Sequence, residues 1–236
     1  MKLLDILKDL TYSELAGLAI GNLIPDEAEN EPDPHQYEKI VGFINLGLKE
    51  IYKRFFLRSN EIYIQQHEEI ATYKLHSDFA VSNTASVEDP KYIIDTVANP
   101  FQDDILKIEM IYDAGGNKLP LNDTSEELSV YTPTFRSVQI ANPNDVDTFS
   151  VQYRACHAKI PVTLATDPNT VEVELPNSLQ EALLYYVASR AYRPTDREAS
   201  ADYWQLFKKS CTDVERLGLE VQGEPGDWRF DTSGWV

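Results

Sequence analysis

Apolar residues recur at helical spacing at the start of the chain, at alternate positions through its middle, and at helical spacing again towards its end. Leu3, Leu4, Leu7 and Leu10 fall three and four apart, which predicts an opening helix. Thr11-Tyr12-Ser13-Glu14 has the form of a capping box and predicts a second short helix through Leu15, Leu18 and Ala19. The clearest amphipathic helix is expected from Tyr37 to Phe56. At about 100° per residue, Ile40, Val41, Phe43, Ile44, Leu48, Ile51, Tyr52 and Phe55 gather on one face, with Asn45, Lys49 and Lys53 opposite. Leu46 and Phe56 fall outside that face, so a second surface must cover them, either in the same domain or on a neighbouring subunit.

From Glu61 to Glu174 the period changes to two. Ile62–Ile64, Ile70–Leu75, Ile105–Tyr112, Ser129–Tyr131, Ser137–Ile140 and Phe149–Ile160 read as strands. Asp113-Ala114-Gly115-Gly116-Asn117-Lys118 is turn chemistry and predicts a hairpin into Leu119-Pro120-Leu121. Short strands separated by Asn, Asp and Pro indicate a mostly antiparallel sheet or small sandwich. Helical spacing resumes at Ser178-Leu179-Gln180-Glu181, a second capping box. The helix through Tyr192 is apolar nearly all the way round, which requires burial on more than one side. Arg190 falls on the side of Leu183 and Tyr186, so its guanidinium must reach a carboxylate or extend to solvent. Pro194 ends this helix. Thr195-Asp196-Arg197-Glu198 then opens a last one, with Ala199, Tyr203, Leu206, Phe207, Val214 and Leu217 as its inner face and Trp204 to one side.

The expected class is α+β. A helical bundle, made of N-terminal helices over 1–60 and a C-terminal helical hairpin over 176–218, carries an antiparallel β-rich insertion over 61–175. An extended tail over 219–236 follows. That tail holds Trp228, Phe230 and Trp235 among acids, a composition suited to ordering against a partner or its own domain. Asp26–Glu38, with six acids and no Lys or Arg, reads as a solvated loop.

Charge narrows the possible partners. Acids outnumber bases 39 to 21, a net charge of −18, which argues against a clamp that grips phosphates and against binding anionic lipid. Charges interrupt the first ten residues, so no signal peptide is expected, and no run approaches the length of a membrane span. Two cysteines, Cys156 and Cys211, fit a reducing compartment and read as small buried apolar residues.

Catalytic chemistry is hard to find. His35, His67, His76 and His157 lack metal-ligand spacing, and His67-Glu68-Glu69 is not followed by a second histidine at the required position. Cys156 and His157 are adjacent on a predicted strand, so their side chains point to opposite faces. Asn144-Asp145-Val146-Asp147 lacks the glycine and distal glutamate of a calcium loop and reads as a solvated turn. Glu172 and Glu174 share a strand face, but spacing along the chain cannot establish a glycosidase pair. No catalytic, metal or cofactor-binding residue is assigned.

Three segments carry a family resemblance: Leu4-Asp5-Ile6-Leu7-Lys8-Asp9-Leu10-Thr11-Tyr12-Ser13-Glu14-Leu15, Ile44-Asn45-Leu46-Gly47-Leu48-Lys49-Glu50-Ile51-Tyr52-Lys53-Arg54-Phe55, and Glu174 to Ala188. In that order they resemble the head-to-tail adaptor, or connector, proteins of tailed bacteriophages. The resemblance implies a structural, non-enzymatic virion protein of the neck, between capsid and tail, assembled in the host cytoplasm. It further implies a self-associating ring, usually of twelve copies, that contacts the portal protein ring on one side and tail tube, nozzle or fibre proteins on the other. DNA would pass through the lumen without specific binding. Leu46, Phe56, Trp204, Trp228, Phe230 and Trp235 are the expected interface residues, being apolar or aromatic and off the core faces. Two other readings compete: a β-sandwich binding module of a tail component with a helical dimerisation unit, and a carboxylate hydrolase with a shifted acid in a cleft.

Overall fold

The structure, a computed structural model, describes residues 1–18, 23–24, 33–163 and 166–219. These divide into two compact units. One takes the chain as far as Leu57 and resumes at His157; the other runs from Arg58 to Cys156.

The first unit is helical. Helix α1 (Leu3–Tyr12) buries Leu3, Ile6, Leu7 and Leu10, the stripe its spacing predicts. Thr11 does not cap a new helix. It lies within α1 and donates its hydroxyl to the Leu7 carbonyl at 2.7 Å, while Ser13 is the C-cap and turns follow it. The periodic apolar stripe simply carries α1 through the first position of the box. Helix α2 (Pro34–Arg54) begins three residues before Tyr37, within the stretch expected to be loop. Proline at the first helical position costs no hydrogen bond there, and the Asp33 carboxylate accepts from the His35 N–H at 3.0 Å, so the turn is ready-made.

Helix α3 (Gln180–Tyr192) is buried nearly all round, as its profile requires, because α1, α2 and α4 (Arg197–Leu217) all pack against it. A 3₁₀ turn, Asn177–Leu179, leads into α3, and its N-cap is Leu179, so the expected Ser178 box does not start the helix. At α4 the cap is Asp196, one residue beyond the predicted Thr195. Its carboxylate accepts from the Glu198 and Ala199 N–H groups, both at 3.0 Å. The buried stripe of α4 is Phe207, Cys211 and Val214. Leu206 and Leu217, expected inside, are 39% and 62% exposed. They sit about 100° around the helix from that stripe, and α3 contacts only one flank. Burial pushes the Cys211 thiol up to about 11, so it behaves as a small apolar core group.

Polar contacts tie α2 to its surroundings. Arg54 forks onto Glu215 of α4, with Nε to Oε1 at 2.5 Å and Nη2 to Oε2 at 2.6 Å, and Nη2 also reaches the Thr212 hydroxyl at 3.0 Å. The hydrogen bonds from Arg54 hold the Glu215 carboxyl below the usual range. A lowered folded-state pKa stabilises above the unfolded value of about 4.3 and is lost as pH falls through the folded value. Replacing Glu215 with Gln is therefore expected to cost about 1 kcal/mol at pH 7, after solvent screening of a partly exposed pair. Urea midpoints at pH 7 and pH 3 check this: the wild-type advantage should close at the lower pH, and an unchanged gap would show that the ion pair contributes nothing.

Asn45, expected to face solvent, instead clamps the backbone of Ile160. Its Nδ2 donates to the Ile160 carbonyl and its Oδ1 accepts from the Ile160 N–H, both at 2.9 Å. Tyr52 donates to the Glu174 carbonyl, and the Glu174 N–H donates to His157 Nε2 at 3.1 Å. The strandless segment after His157 is thus carried by the helices, and Glu172 bridges Lys2 rather than standing with Glu174 on a strand.

The second unit is an antiparallel sheet of four strands, in the order β3 (Ile93–Ile94), β1 (Ser59–Gln65), β6 (Thr148–Ala155), β4 (Ile105–Asp113). A two-stranded ribbon, β2 (Thr72–Lys74) with β5 (Ser137–Gln139), shares its core. Ile62 and Ile64 of β1, Phe149 and Val151 of β6, and Tyr73 and Val138 of the ribbon are all buried. Tyr73 meets Tyr92 edge-on at 5.1 Å and Phe149 at 5.4 Å, a packing that favours the aromatic quadrupoles. The Asp113 turn forms as expected. Its carboxylate accepts from the Gly115 and Asn117 N–H groups at 2.9 and 2.8 Å, and Gly116 supplies the left-handed residue at φ 79°. The predicted strand Phe149–Ile160 stops at Ala155, and Ser129–Tyr131 contributes isolated bridges instead of a strand.

Candidate functional site

The expected interface residues divide by where the structure places them. Leu46 stands on α2 and is 47% exposed. Phe56, just past the end of α2, is half-buried. Trp204 is on α4, one heptad before Cys211, so it begins the stripe that faces α3 instead of lying to one side. Its ring packs on Phe207 at 5.2 Å and Tyr186 at 6.0 Å, yet it stays 37% exposed because the stripe opens there onto a groove. Trp228, Phe230 and Trp235 lie outside the described residues.

Several exposed apolar side chains were not singled out from the sequence. Phe135 and Leu128, in the long connection between β4 and β5, are 67% and 74% exposed, and the Arg136 guanidinium lies 5.2 Å from the Phe135 ring centre. Phe135 also borders a groove of about 290 Å3 beside Leu106 and Ile108 of β4, an edge strand. The available signal was an apolar residue set among turn formers, Thr134-Phe135-Arg136, which is the pattern of a contact loop.

Groups with chemical potential are engaged in structural roles. His157 accepts the Glu174 N–H and meets Tyr52 edge-on at 5.6 Å. His76 accepts the Asp78 N–H at 3.2 Å as a cap. Asn144 accepts the Val146 and Asp147 N–H groups at 3.0 and 2.7 Å, and the Asp145 carboxylate accepts the Glu68 N–H at 2.7 Å, so Asn144–Asp147 is a turn pinned to the segment that follows β1. Asp104 accepts the Tyr153 hydroxyl at 2.9 Å and Asn60 Nδ2 at 3.1 Å, and burial with this neighbouring carboxylate raises the Tyr153 phenol. Among the described residues, no group of three or more His, Cys, Asp or Glu is arranged to hold a metal ion, and no helix is long and apolar enough to cross a membrane.

What remains is surface: a helical bundle that carries an antiparallel β insertion and presents apolar and aromatic side chains. That is the build of a protein that joins other proteins in an assembly. The sequence matches the family described as SU10 adaptor protein over residues 10–226, and the chain belongs to this family of tailed-phage head-to-tail adaptors. Its role is that of a structural adaptor in a viral assembly. No curated protein matches the sequence.

Proposed function

We propose that this chain forms a ring, of twelve copies in the arrangement its family resemblance implies, that docks beneath the portal ring and joins the capsid to tail proteins. In this reading it occupies the virion neck, and duplex DNA passes through its lumen. The supporting observation is the adaptor match across residues 10–226, which takes in both helical parts and the β insertion. The charge fits the passage of DNA. A surplus of 39 acids over 21 bases offers few phosphate contacts, so an acidic lumen would let the duplex slide where a basic one would trap it.

Mixing the protein with the portal ring and imaging by electron microscopy tests the reading. A stoichiometric ring complex is expected, with acidic side chains on the inner wall. No complex overturns the assignment, and acids confined to the outer wall overturn the lumen argument. Deleting Trp228–Val236 is expected to leave the subunit folded, by far-UV circular dichroism, while weakening assembly on the portal. A truncated protein that unfolds would place those aromatics in the core instead.

A further inference from the structure

The corner between α3 and α4 gathers positive charge on an acidic protein. A groove of about 670 Å3 there is lined by Ser189, Arg190, Arg193, Arg197, Ser200, Ala201 and Trp204. It holds three guanidinium groups and no acid. Arg190 is held in place: its Nη2 donates to the Tyr186 hydroxyl at 3.0 Å, and its guanidinium lies 5.1 Å from the Tyr186 ring centre. Its Nε is buried without a hydrogen-bond partner. None of the three arginines is ion-paired with a described acidic side chain; of the two carboxylates that flank Arg197 in sequence, Asp196 is occupied in capping α4 and Glu198 does not line the groove. Unpaired guanidinium forks are built to take carboxylates or phosphates two bonds at a time, and the exposed Trp204 face beside them adds a stacking surface.

We propose that this groove receives the acidic, aromatic C-terminal segment, 220–236, of a neighbouring copy of the chain, an inference that rests on the ring reading above. The chemistry matches in both respects. The segment carries Glu220, Glu224, Asp227 and Asp231 for the arginines and Trp228, Phe230 and Trp235 for the Trp204 wall, with Arg229 as its one base. The chain's other acidic run, 26–33, has no aromatic residue. The volume exceeds what a free phosphate ion fills. Three arginines would also neutralise too few phosphates to hold a duplex against a net charge of −18. The segment departs from the C-terminal end of α4, whereas the groove lies at the N-terminal end, about 26 Å away along the helix at 1.5 Å per residue. Ten extended residues span about 33 Å, so the subunit's own segment is also long enough to reach the groove, and it is the ring reading that selects a neighbour as donor. Donor and acceptor surfaces at opposite ends of one element make a head-to-tail contact, the kind that closes into a ring.

Trypsin cleavage after Arg229 reports whether the segment is docked. Initial rates are measured by mass spectrometry on the full-length protein and normalised to cleavage after the exposed Lys118. Protein concentration runs from about 1 to about 300 μM, a span that brackets the affinity expected of one short segment without multivalent support. Cleavage after Arg229 should slow about tenfold across that range in the wild type, and should stay fast throughout in Arg193→Glu/Arg197→Glu, two exposed changes that leave the core untouched. The proposal is overturned by a rate that is fast at every concentration, by one that is slow at every concentration (the subunit's own segment in the groove), or by equal protection in the variant. It is also overturned if the wild type, but not the variant, retains a duplex oligonucleotide while Arg229 cleavage is unaffected, which would give the groove to nucleic acid. Concentration-dependent protection without a portal complex sinks the adaptor-ring reading alone; a portal complex without protection sinks this docking alone.

Discussion

Gly47→Val is expected to destabilise the helical unit by about 2–3 kcal/mol, lowering its melting temperature by about 6–10 °C. Gly47 is buried at the crossing of α2 and α3, where a Cβ would lie 2.6 Å from Leu183 Cδ1 and 2.9 Å from Tyr186 Cδ1. Leu183 ends in a flexible methyl and can rotate away, but the Tyr186 ring is braced edge-on by Phe207 at 5.3 Å and cannot yield without moving α4. Gly42, in the same helix, has nothing within 4 Å of its would-be Cβ. Gly42→Ala should therefore stabilise by about 0.5–1 kcal/mol, the ordinary helix-propensity gain. Thermal melts of the two variants followed by circular dichroism make a matched test. If Gly47→Val melts with the wild type, the close approach of α2 and α3 is wrong.

Asn45→Leu is expected to cost about 2–4 kcal/mol, because both the N–H and the carbonyl of buried Ile160 lose their partner without gaining water. Asn45→Asp separates the two bonds. A carboxylate can still accept from the Ile160 N–H, but its second oxygen faces the Ile160 carbonyl, which favours the protonated acid as donor. The pKa of the introduced carboxyl is thereby raised on folding. Its stabilising contribution is present below the unfolded value of about 3.9 and is lost as pH rises through the folded value. The deficit of Asn45→Asp against wild type should be largest at neutral pH and shrink on acidification, as read from denaturant midpoints. A deficit independent of pH would mean that Asn45 does not bond the Ile160 carbonyl.

Both residues show where reading the chain residue by residue reaches its limit. Asn45 lies opposite the apolar face of α2, and the periodicity that identified the helix also assigned this side chain to water. Its partner is 115 positions away on a segment without regular structure. Local spacing carries no signal for such a contact. Gly47 reads as a weak point in a helix until Leu183 and Tyr186 are seen to need its missing side chain.

The same limit explains α4 and its groove. Trp204, Phe207, Cys211 and Val214 form one stripe, with Tyr203 at its border stacked on Tyr192 of α3 at 5.4 Å, and Leu206 and Leu217 form its neighbour. Both are apolar at helical spacing, and only the position of α3 selects the first. Arg190, Arg193 and Arg197 look like scattered charges on two helices, and it is the turn through Pro194 that folds them to one side of a groove. Capping boxes misled for a related reason. Thr11 and Ser178 have the right neighbours for a cap, but a cap is a backbone geometry, and the apolar stripe of α1 and the 3₁₀ turn before α3 set that geometry differently. The two-residue strand β3 was too short for alternation to register, and it exists because β1 offers it a free edge.

The α+β class, the existence of the helices, the course of strands β1, β4 and β6 and the Asp113 turn were determined by the sequence alone, because each depends on spacing within a few residues, and periodic burial of apolar side chains dominates the energy at that range. The Ile160 clamp, the close approach at Gly47, the choice of stripe on α4 and the assembly of three arginines around Trp204 were decided only by the tertiary structure. Each depends on which distant surface arrives opposite a residue, and the local pattern is the same whichever surface that is.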